Sequence, residues 1–223
     1  AIARLGAERK LDQGKRTKAI FKKLRQLTRE RDQVLADRTV AKNQLHAELA
    51  EAEPGKSSVD RIKKKIVFFD KQEKEIMTEL KVVLSVDDEI KRLVALICTL
   101  PGVGLLTAII VLAETNGFEL IRNKRQLVSY AGLDVREKQS GTSVRGKPRI
   151  SKKGNRFLRK AMHFPALSAI SHDEKYKAIF ARLVSKHGIK MKAAVCVQRK
   201  MLEMIYTVFK KQEAYDRKYY LRQ

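Results

Sequence analysis

The chain has few of the residues that build disulfide-rich or metal-centred domains. Its 223 residues include two cysteines, four histidines and no tryptophan. Cys98 and Cys196 lie far apart in sequence, and neither has a second cysteine or a histidine at the spacing of metal ligands. We therefore predict buried thiols in a reducing compartment rather than a disulfide or a zinc site. The histidines are predicted to be structural or surface residues: His46, His163, His172 and His187.

The chain also lacks the long apolar segments of a membrane protein. Its longest apolar stretch, Leu105–Ala113, is too short to span a bilayer. No signal peptide and no lipidation motif is present. The sequence therefore predicts no membrane partner, and an anionic membrane surface is the weaker alternative for so basic a chain.

Acidic residues are scarce. The sequence contains 25 Asp and Glu against 49 Lys and Arg, which gives a formal net charge of +24 and a pI near 10.2. Nucleic acid is the default partner of such a chain. A hydrophobic content of 43% is enough for a folded core, but 33% charged and 6% aromatic residues indicate that part of the chain is thin and solvent-facing.

A long helical hairpin is predicted in the first third of the chain. Residues 16–52 contain no proline or glycine, and a turn signal at 53–58 separates them from a second helical segment. Both segments have the alternating four–three spacing of a coiled-coil seam, which predicts two antiparallel helices about 40–50 Å long. The seam positions are Ile20, Leu24, Leu27, Arg31, Val34, Arg38, Ala41 and Leu45, then Val59, Ile62, Ile66, Phe69, Glu73, Ile76, Leu80 and Val83.

Two interpretations of this hairpin remain open. It is either a stalk that only holds itself together or a dimerisation arm whose basic outer face also touches nucleic acid. Arg31 and Arg38 on the seam slightly favour the second interpretation, because a buried arginine needs a partner that another chain or a phosphate would provide.

A compact helical domain is predicted from Val86 onward. Asp87 and Asp173 are expected to cap helices, and Ser151 is expected to cap a helix over residues 152–170 that Pro165 kinks. Only residues 133–150 are expected to form short strands. The predicted fold class is therefore mainly α.

Two glycines between apolar helices carry the first candidate site. The segment Leu100-Pro-Gly-Val-Gly resembles the turn of a helix-hairpin-helix, in which backbone N–H groups at a helix N-terminus donate hydrogen bonds to a phosphate. Gly102, Val103 and Gly104 are thus candidate nucleic-acid-binding residues. The alternative is a plain turn between two helices, in which glycine serves only as a C-cap.

A hydroxyl-bearing loop leads into a dense run of cations and carries the second candidate site. Ser140 precedes Gly141, and a serine can attack a DNA phosphate when cations stabilise the developing charge. The alternative is a flexible loop of ordinary turn residues. Lysines in the first turn of the predicted 152–170 helix oppose the helix dipole, which favours their retention for a partner. The candidate nucleic-acid-binding cations are Arg145, Lys147, Arg149, Lys152, Lys153 and Arg156.

Five segments together resemble the C-terminal domain of IS110-type insertion-sequence transposases, the bridge-RNA-guided serine recombinases. They occur in the order and spacing of that family, and the resemblance covers about residues 86–210. The segments are Leu100–Ala108, Phe118–Leu127, Tyr130–Asp134, Gln139–Gly141 and Ile150–Arg159.

The resemblance implies a mechanism that composition does not. Family members have a RuvC-like domain with four metal-binding acids, then a coiled coil, then this transposase domain. Ser140 corresponds to the serine nucleophile that forms a phosphoserine link to DNA, and Ser143 is a nearby alternative. The resemblance also implies a bridge RNA, a composite site across a dimer or tetramer, and a cytoplasmic location in a bacterium or archaeon.

The sequence departs from the family pattern in two places. The RuvC-like domain and its acids are missing, and neither Glu8 nor Asp12 is assigned to that role. Magnesium is therefore expected in the missing domain, and no cofactor is expected in this chain. Residues 1–5 are similar to the segment after the family's last metal-binding aspartate, so the chain is expected to be truncated at that point. Val135 stands where members often carry proline, which leaves the local loop shape open.

The sequence thus predicts a DNA transposase whose Ser140 attacks a DNA phosphate, although this chain alone is expected to be inactive. The alternatives are a non-catalytic, structure-selective module that binds nucleic acid and dimerises through the hairpin, and a pure coiled-coil scaffold. The predicted divisions are the tail of the missing domain at 1–15, the hairpin at 16–85, the transposase domain at 86–213 and a C-terminal tail at 214–223.

Overall fold

The computed structural model describes residues 19–119, 121–140 and 144–217. This part of the chain is mainly α-helical, as predicted. Its helices are α1 (Ala19–Leu49), α2 (Lys56–Ser85), α3 (Asp88–Ile97), α4 (Leu105–Thr115), α5 (Lys124–Tyr130), α6 (Arg156–Ala161), α7 (His163–His172), α8 (Glu174–His187) and α9 (Lys190–Lys211). Its strands are β1 (Val135–Ser140) and β2 (Val144–Ile150), within the one segment predicted to contain strands. None of the described helices has the length and apolar character needed to cross a membrane.

Helices α1 and α2 form the predicted antiparallel hairpin. Lys23 near the start of α1 pairs with Glu79 near the end of α2, which fixes the antiparallel direction. The seam spacing is confirmed because its apolar positions are buried or half-buried along both helices, whereas most positions between them are exposed. The hairpin is therefore held together by a narrow apolar stripe, as the sequence pattern predicts.

The two seam arginines find their partners inside the hairpin. Arg31 bonds Glu73, and Arg38 donates to Asp70 and Glu73 at 2.6 Å each. The hydrogen bond to Asp70 raises the pKa of Arg38. These acidic partners on α2 remove the reason for expecting a second chain or a phosphate at the seam, so that inference from the sequence was wrong.

The compact domain is built around α4 and α9. Both helices place large apolar side chains in the core, among them Ile109 and Leu112 on α4 and Met201 and Leu202 on α9. Helix α9 packs against α3, α5, α7 and α8, so one helix joins most of the domain. Cys98 borders this core as a free thiol, and burial raises its pKa.

Local capping signals predicted the start of two helices correctly. The Asp87 side chain accepts from the backbone N–H of Ile90 at 3.0 Å at the start of α3. Asp173 does the same for Tyr176 at 3.2 Å at the start of α8. An aspartate before an amphipathic segment therefore predicted the N-terminus of both α3 and α8.

The predicted helix from residue 152 begins four residues later than expected. The Ser151 hydroxyl donates to the Asp134 carboxylate at 2.6 Å instead of capping a helix. Asn155 is the cap of α6 and accepts from the backbone N–H groups of Phe157 and Leu158. Lys152 lies outside the helix with a φ of 55°. Lys152 and Lys153 both precede α6 and do not lie in its first turn, so the prediction that they oppose a helix dipole there was wrong.

A break divides this helix before Pro165 rather than at it. Helix α6 ends at Ala161, Met162 separates the two helices, and α7 then begins at His163. Proline at position 165 has no N–H to bond the carbonyl of Ala161, four residues earlier, so the helix is interrupted there. Pro165 itself lies in the first turn of α7, where its N–H is not needed.

Candidate nucleic-acid interface

A two-stranded β-hairpin carries the candidate nucleophile. Strands β1 and β2 pair antiparallel, with Val135 opposite Ile150 at the base and Ser140 opposite Val144 at the other end. Ser140 is thus the last residue of β1, beside the turn. The side chains of Ser140, Arg145 and Lys147 lie outside the described part of the structure, as does the whole of Ser143.

The base of the β-hairpin is tied to the α5–β1 turn. The Ser151 backbone N–H donates to the Asp134 carbonyl at 2.9 Å, and their side chains are also bonded. The Lys152 N–H donates to the Gly132 carbonyl at 3.1 Å. The residues that follow β2 are thus hydrogen-bonded to the residues that precede β1, which fixes the base of the β-hairpin.

Gly154 permits this close approach. A Cβ on Gly154 would overlap the carbonyl oxygen of Tyr130 and the backbone nitrogen of Gly132, so no other residue fits there without moving the backbone. The next residue, Asn155, donates its N–H to that same Tyr130 carbonyl at 2.6 Å. The glycine–asparagine pair before α6 thus anchors the segment that leaves β2.

An open cleft lies beside the base of the β-hairpin. Its volume is about 1280 Å³, and its walls come from the hairpin, α6, α7 and the N-terminal part of α9. One residue of α1, Asp32, also reaches it and pairs with Lys160. Segments that are distant in sequence therefore meet in this cleft.

Cations dominate the charged residues of the cleft. Of the candidate nucleic-acid-binding cations, Arg149, Lys152 and Arg156 line it, whereas Lys153 is exposed outside its lining. The further cations of the lining are Arg159, Lys160 and Lys192. Within the described part of the chain, Arg149, Lys152 and Lys192 have no ion-pair partner. Self-repulsion among these cations is relieved when a polyanion binds, so the cleft is a candidate nucleic-acid interface.

The cleft also exposes apolar side chains that sequence patterns did not single out. Phe164 is 76% exposed, and Ile189 and Met191 are exposed as well. Two guanidinium groups lie over the Phe157 ring, with the Cζ atoms of Arg29 and Arg156 at 4.6 and 4.8 Å from its centroid. No sequence signal separates an exposed Phe164 from a buried one, because its neighbours along α7 are apolar.

Glu114 is a buried charge that connects the long hairpin with the cleft. Its side chain is 1% exposed. Its carboxylate accepts hydrogen bonds from Nε and Nη2 of Arg29, each at 2.8 Å. The Asn155 side-chain amide donates to the same carboxylate at 2.6 Å. The hydrogen bond to Glu114 raises the pKa of Arg29. Helix α1, helix α4 and the cap of α6 are therefore joined at one carboxylate.

The two glycines of the 100–104 turn differ in what surrounds them. Gly102 has a φ of 79°, and a Cβ there would lie 2.5 Å from the Pro165 carbonyl oxygen. Gly104 precedes α4, and a Cβ there would meet nothing within 4 Å. The close contact with α7 therefore explains why position 102 requires glycine. The N-terminal end of α4 beside Gly104 is instead open to a ligand.

Replacement of Gly102 by alanine is expected to lower the free energy of unfolding by about 2–4 kcal/mol, because the left-handed backbone and the overlap with Pro165 both oppose it. Gly104→Ala is the matched control and should cost about 1 kcal/mol, because a Cβ there meets no atom and only the poorer N-cap preference of alanine opposes it. Urea unfolding followed by circular dichroism measures both. Equal losses in the two variants would contradict the role assigned to Gly102.

The histidines are not arranged as metal ligands in the described part of the chain, where no group of three or more His, Cys, Asp or Glu could hold a metal ion. His163 lines the cleft, and its Nδ1 lies 2.8 Å from the side-chain amide nitrogen of Gln198. His163 is thus part of the polar lining of the cleft.

Comparison with known protein families agrees with the arrangement of these motifs. The model of the transposase IS116/IS110/IS902 family matches residues 94–181, which include α4, α5, the β-hairpin and α6. Over these residues the chain is similar to the IS116/IS110/IS902 transposase family. The family region thus contains Ser140, Glu114 and most of the cleft.

Individual relatives extend the similarity beyond the family region. A "Pilin gene-inverting protein" from Moraxella bovis is 27% identical over 131 residues, which cover 58% of this chain and 41% of that protein. The "Transposase for insertion sequence element IS1111A" from Coxiella burnetii is 29% identical over 143 residues, 61% of this chain and 37% of the relative. An IS110 protein from Streptomyces coelicolor, described as an uncharacterized 43.6 kDa protein, is 26% identical over 118 residues, 53% of this chain and 29% of its own length. The chain therefore spans well under half the length of these relatives.

Proposed function

We propose that this chain is the part of a DNA transposase that attacks a DNA strand, with Ser140 as the nucleophile. The observation that carries the proposal is the position of Ser140 on β1, on a β-hairpin whose base forms one wall of a cationic cleft. The match of residues 94–181 to the transposase family and a net charge of +24 support DNA as the substrate.

The chemical step is a transesterification. The hydroxyl of Ser140 loses its proton as its Oγ forms a bond to a backbone phosphorus atom, and one ester bond from that phosphorus to deoxyribose breaks. The sugar oxygen of the broken strand leaves and takes up a proton, while the other part of the strand stays attached to the serine. Positive charge near the phosphate would stabilise the extra negative charge of the transition state.

The cleft and the nucleophile would hold different parts of the same strand. Five residue steps separate Val135 in the cleft wall from Ser140, which is about 17 Å along an extended strand. A DNA strand has one phosphate per roughly 3.4 Å of helix axis, so the attacked phosphate would lie about five nucleotides from the cleft. The cations Arg149, Lys152 and Arg156 would then position the strand, with Lys153 as an additional contact outside the cleft. Arg145 and Lys147, on the strand opposite β1, are proposed as the cations nearest the attacked phosphate.

Further partners are suggested by the family resemblance and belong to the same proposal. A guide RNA would select the DNA, and a second or further copy of the protein would complete the site. The open end of α4 at Gly104 is proposed as an additional phosphate contact, with Gly102 and Val103 shaping the turn.

Trapping of a covalent protein–DNA adduct tests this function. The complete protein is incubated with labelled DNA spanning the ends of its coding element and with RNA transcribed from that element, then denatured. We expect a labelled protein band, and mass spectrometry should place the nucleotide on the tryptic peptide between Lys138 and Arg145, with fragment ions assigning it to Ser140 rather than Ser143. DNA binding without any adduct would favour the non-catalytic binding module instead.

A further inference from the structure

An apolar surface lies inside the cationic cleft, and the proposed reaction does not use it. Phe164 is 76% exposed, and Ile189 and Met191 from the region of α9 lie in the same cleft. The His163 and Phe164 rings are 5.5 Å apart between centroids and inclined by 66°, so the two rings meet edge to face. Clustered exposed apolar side chains commonly mark a binding surface.

The charges around this surface restrict what can cover it. Arg149, Lys152 and Lys192 have no ion-pair partner among the described residues, and the only carboxylate in the lining, Asp32, is already paired with Lys160. An apolar peptide segment would leave these cations uncompensated. A polyanion that also presents flat apolar groups would both neutralise the cations and cover the exposed ring of Phe164.

Unpaired nucleic acid has this combination, since its bases stack on aromatic side chains while its phosphates pair with cations. A duplex offers mainly its phosphates because its bases are stacked and paired. The volume of about 1280 Å³ exceeds that of common small-molecule sites and suits a short stretch of strand rather than a single nucleotide.

Polar groups on the cleft wall suit a base as well. Gln198 is nearly fully buried, and its amide nitrogen lies 2.8 Å from Nδ1 of His163. This contact fixes the imidazole and leaves its Nε2 as the remaining polar ring atom, which is available to a base edge. A stacked base beside Phe164 would therefore find both an apolar face and a hydrogen-bonding group.

We propose that the cleft binds unpaired bases of the DNA strand, stacked on Phe164, while Arg149, Lys152 and Lys192 hold its phosphates. The inference rests on the proposed function for its choice of DNA, because the cleft shares a wall with the β-hairpin of Ser140. It adds where the DNA is unpaired, about five nucleotides from the attacked phosphate, and which side chain holds the bases there.

The test compares Phe164→Ala with Phe68→Ala in the 223-residue chain. Phe68 is 57% exposed on α2 and does not line the cleft, so it is a matched control. Fluorescence anisotropy measures affinity for a labelled single-stranded DNA of about 20 nucleotides, for the same sequence as a duplex, and for the same sequence as single-stranded RNA. We expect Phe164→Ala to weaken single-stranded DNA binding about tenfold, since stacking on one aromatic ring contributes on that scale. Duplex affinity should change less than about twofold, and Phe68→Ala should change neither.

A conservative variant and a second measurement keep the outcomes distinct. Phe164→Tyr retains the ring and should retain the affinity. Equal losses for duplex and single strand, or no loss at all, would overturn the proposal. A greater loss for RNA than for DNA would assign the cleft to an RNA instead. A smaller oligomer of Phe164→Ala in analytical ultracentrifugation would show that a second copy covers this surface.

The same assays separate this inference from the proposed reaction. Ser140→Ala should bind single-stranded DNA like the unchanged chain, because Ser140 lies about 17 Å from the base of the hairpin. Absence of a Ser140 adduct alongside a Phe164-dependent affinity would remove the nucleophile and leave the base-binding cleft. An adduct without any effect of Phe164 would do the reverse.

Discussion

Replacement of Ser140 by alanine is expected to abolish recombination by the complete transposase while leaving its DNA affinity within about twofold. The variant lacks the oxygen that would bond to phosphorus. Loss of a catalytic nucleophile typically lowers turnover by factors of ~10³ or more. Recombination of a two-plasmid reporter in cells measures the activity, and anisotropy with element-end DNA measures the binding.

Ser143→Ala is the matched control for this experiment. It removes the same hydroxyl group three residues away and should keep most of the recombination activity. If Ser143→Ala is inactive and Ser140→Ala is active, Ser143 is the nucleophile. If both variants recombine normally, a serine mechanism in this loop is excluded, and the cationic cleft alone would support the non-catalytic module.

The parts of the fold that could be predicted depend on local or periodic signals. The seam of α1 and α2 repeats over many turns, so its burial follows from spacing alone. Asp87 and Asp173 cap helices through bonds to residues three positions away. The β-hairpin lies within the predicted segment, although its register could not be derived from composition.

The errors arise where distant residues compete with local signals. Ser151 has the right type for a helix cap, but Asp134, seventeen positions earlier, takes its hydroxyl, and Asn155 becomes the cap instead. The seam arginines were expected to need a partner that another chain or a phosphate would provide. In the structure Glu73 bonds both Arg31 and Arg38. A periodicity argument treats each position alone and misses such pairs.

The candidate site could be predicted only in part for the same reason. Its cations cluster in sequence, so Arg149, Lys152 and Arg156 were found. Phe164 and Lys192 enter the cleft only because α7 packs on α9, which no local pattern encodes. Glu114 was also missed, because a single acid in an apolar helix gives no indication of its partners.

Replacement of Arg29 by methionine is expected to lower the free energy of unfolding by about 3–5 kcal/mol. The Glu114 carboxylate is 1% exposed, and without Arg29 its one remaining side-chain partner among the described residues would be the Asn155 amide. Removing one partner of a buried ion pair leaves an uncompensated charge, which costs several kcal/mol. Arg29 itself is 45% exposed, so Glu114→Gln, which removes the buried charge instead, should be less damaging. Chemical unfolding of both variants measures the difference.

Two further variants make this experiment specific. Lys23→Met removes a cation from the same helix, but its pair with Glu79 is half-exposed, and the cost should be below about 1 kcal/mol. The double variant Arg29→Met with Glu114→Gln should recover part of the loss, because no charge is then left buried. Equal costs for Arg29→Met and Lys23→Met would show that Glu114 is not held by this pair. Because Asn155 bonds the same carboxylate and caps α6, loss of Arg29 should also weaken the DNA binding proposed for the cleft. The position of the long hairpin would then affect how firmly the cleft holds DNA.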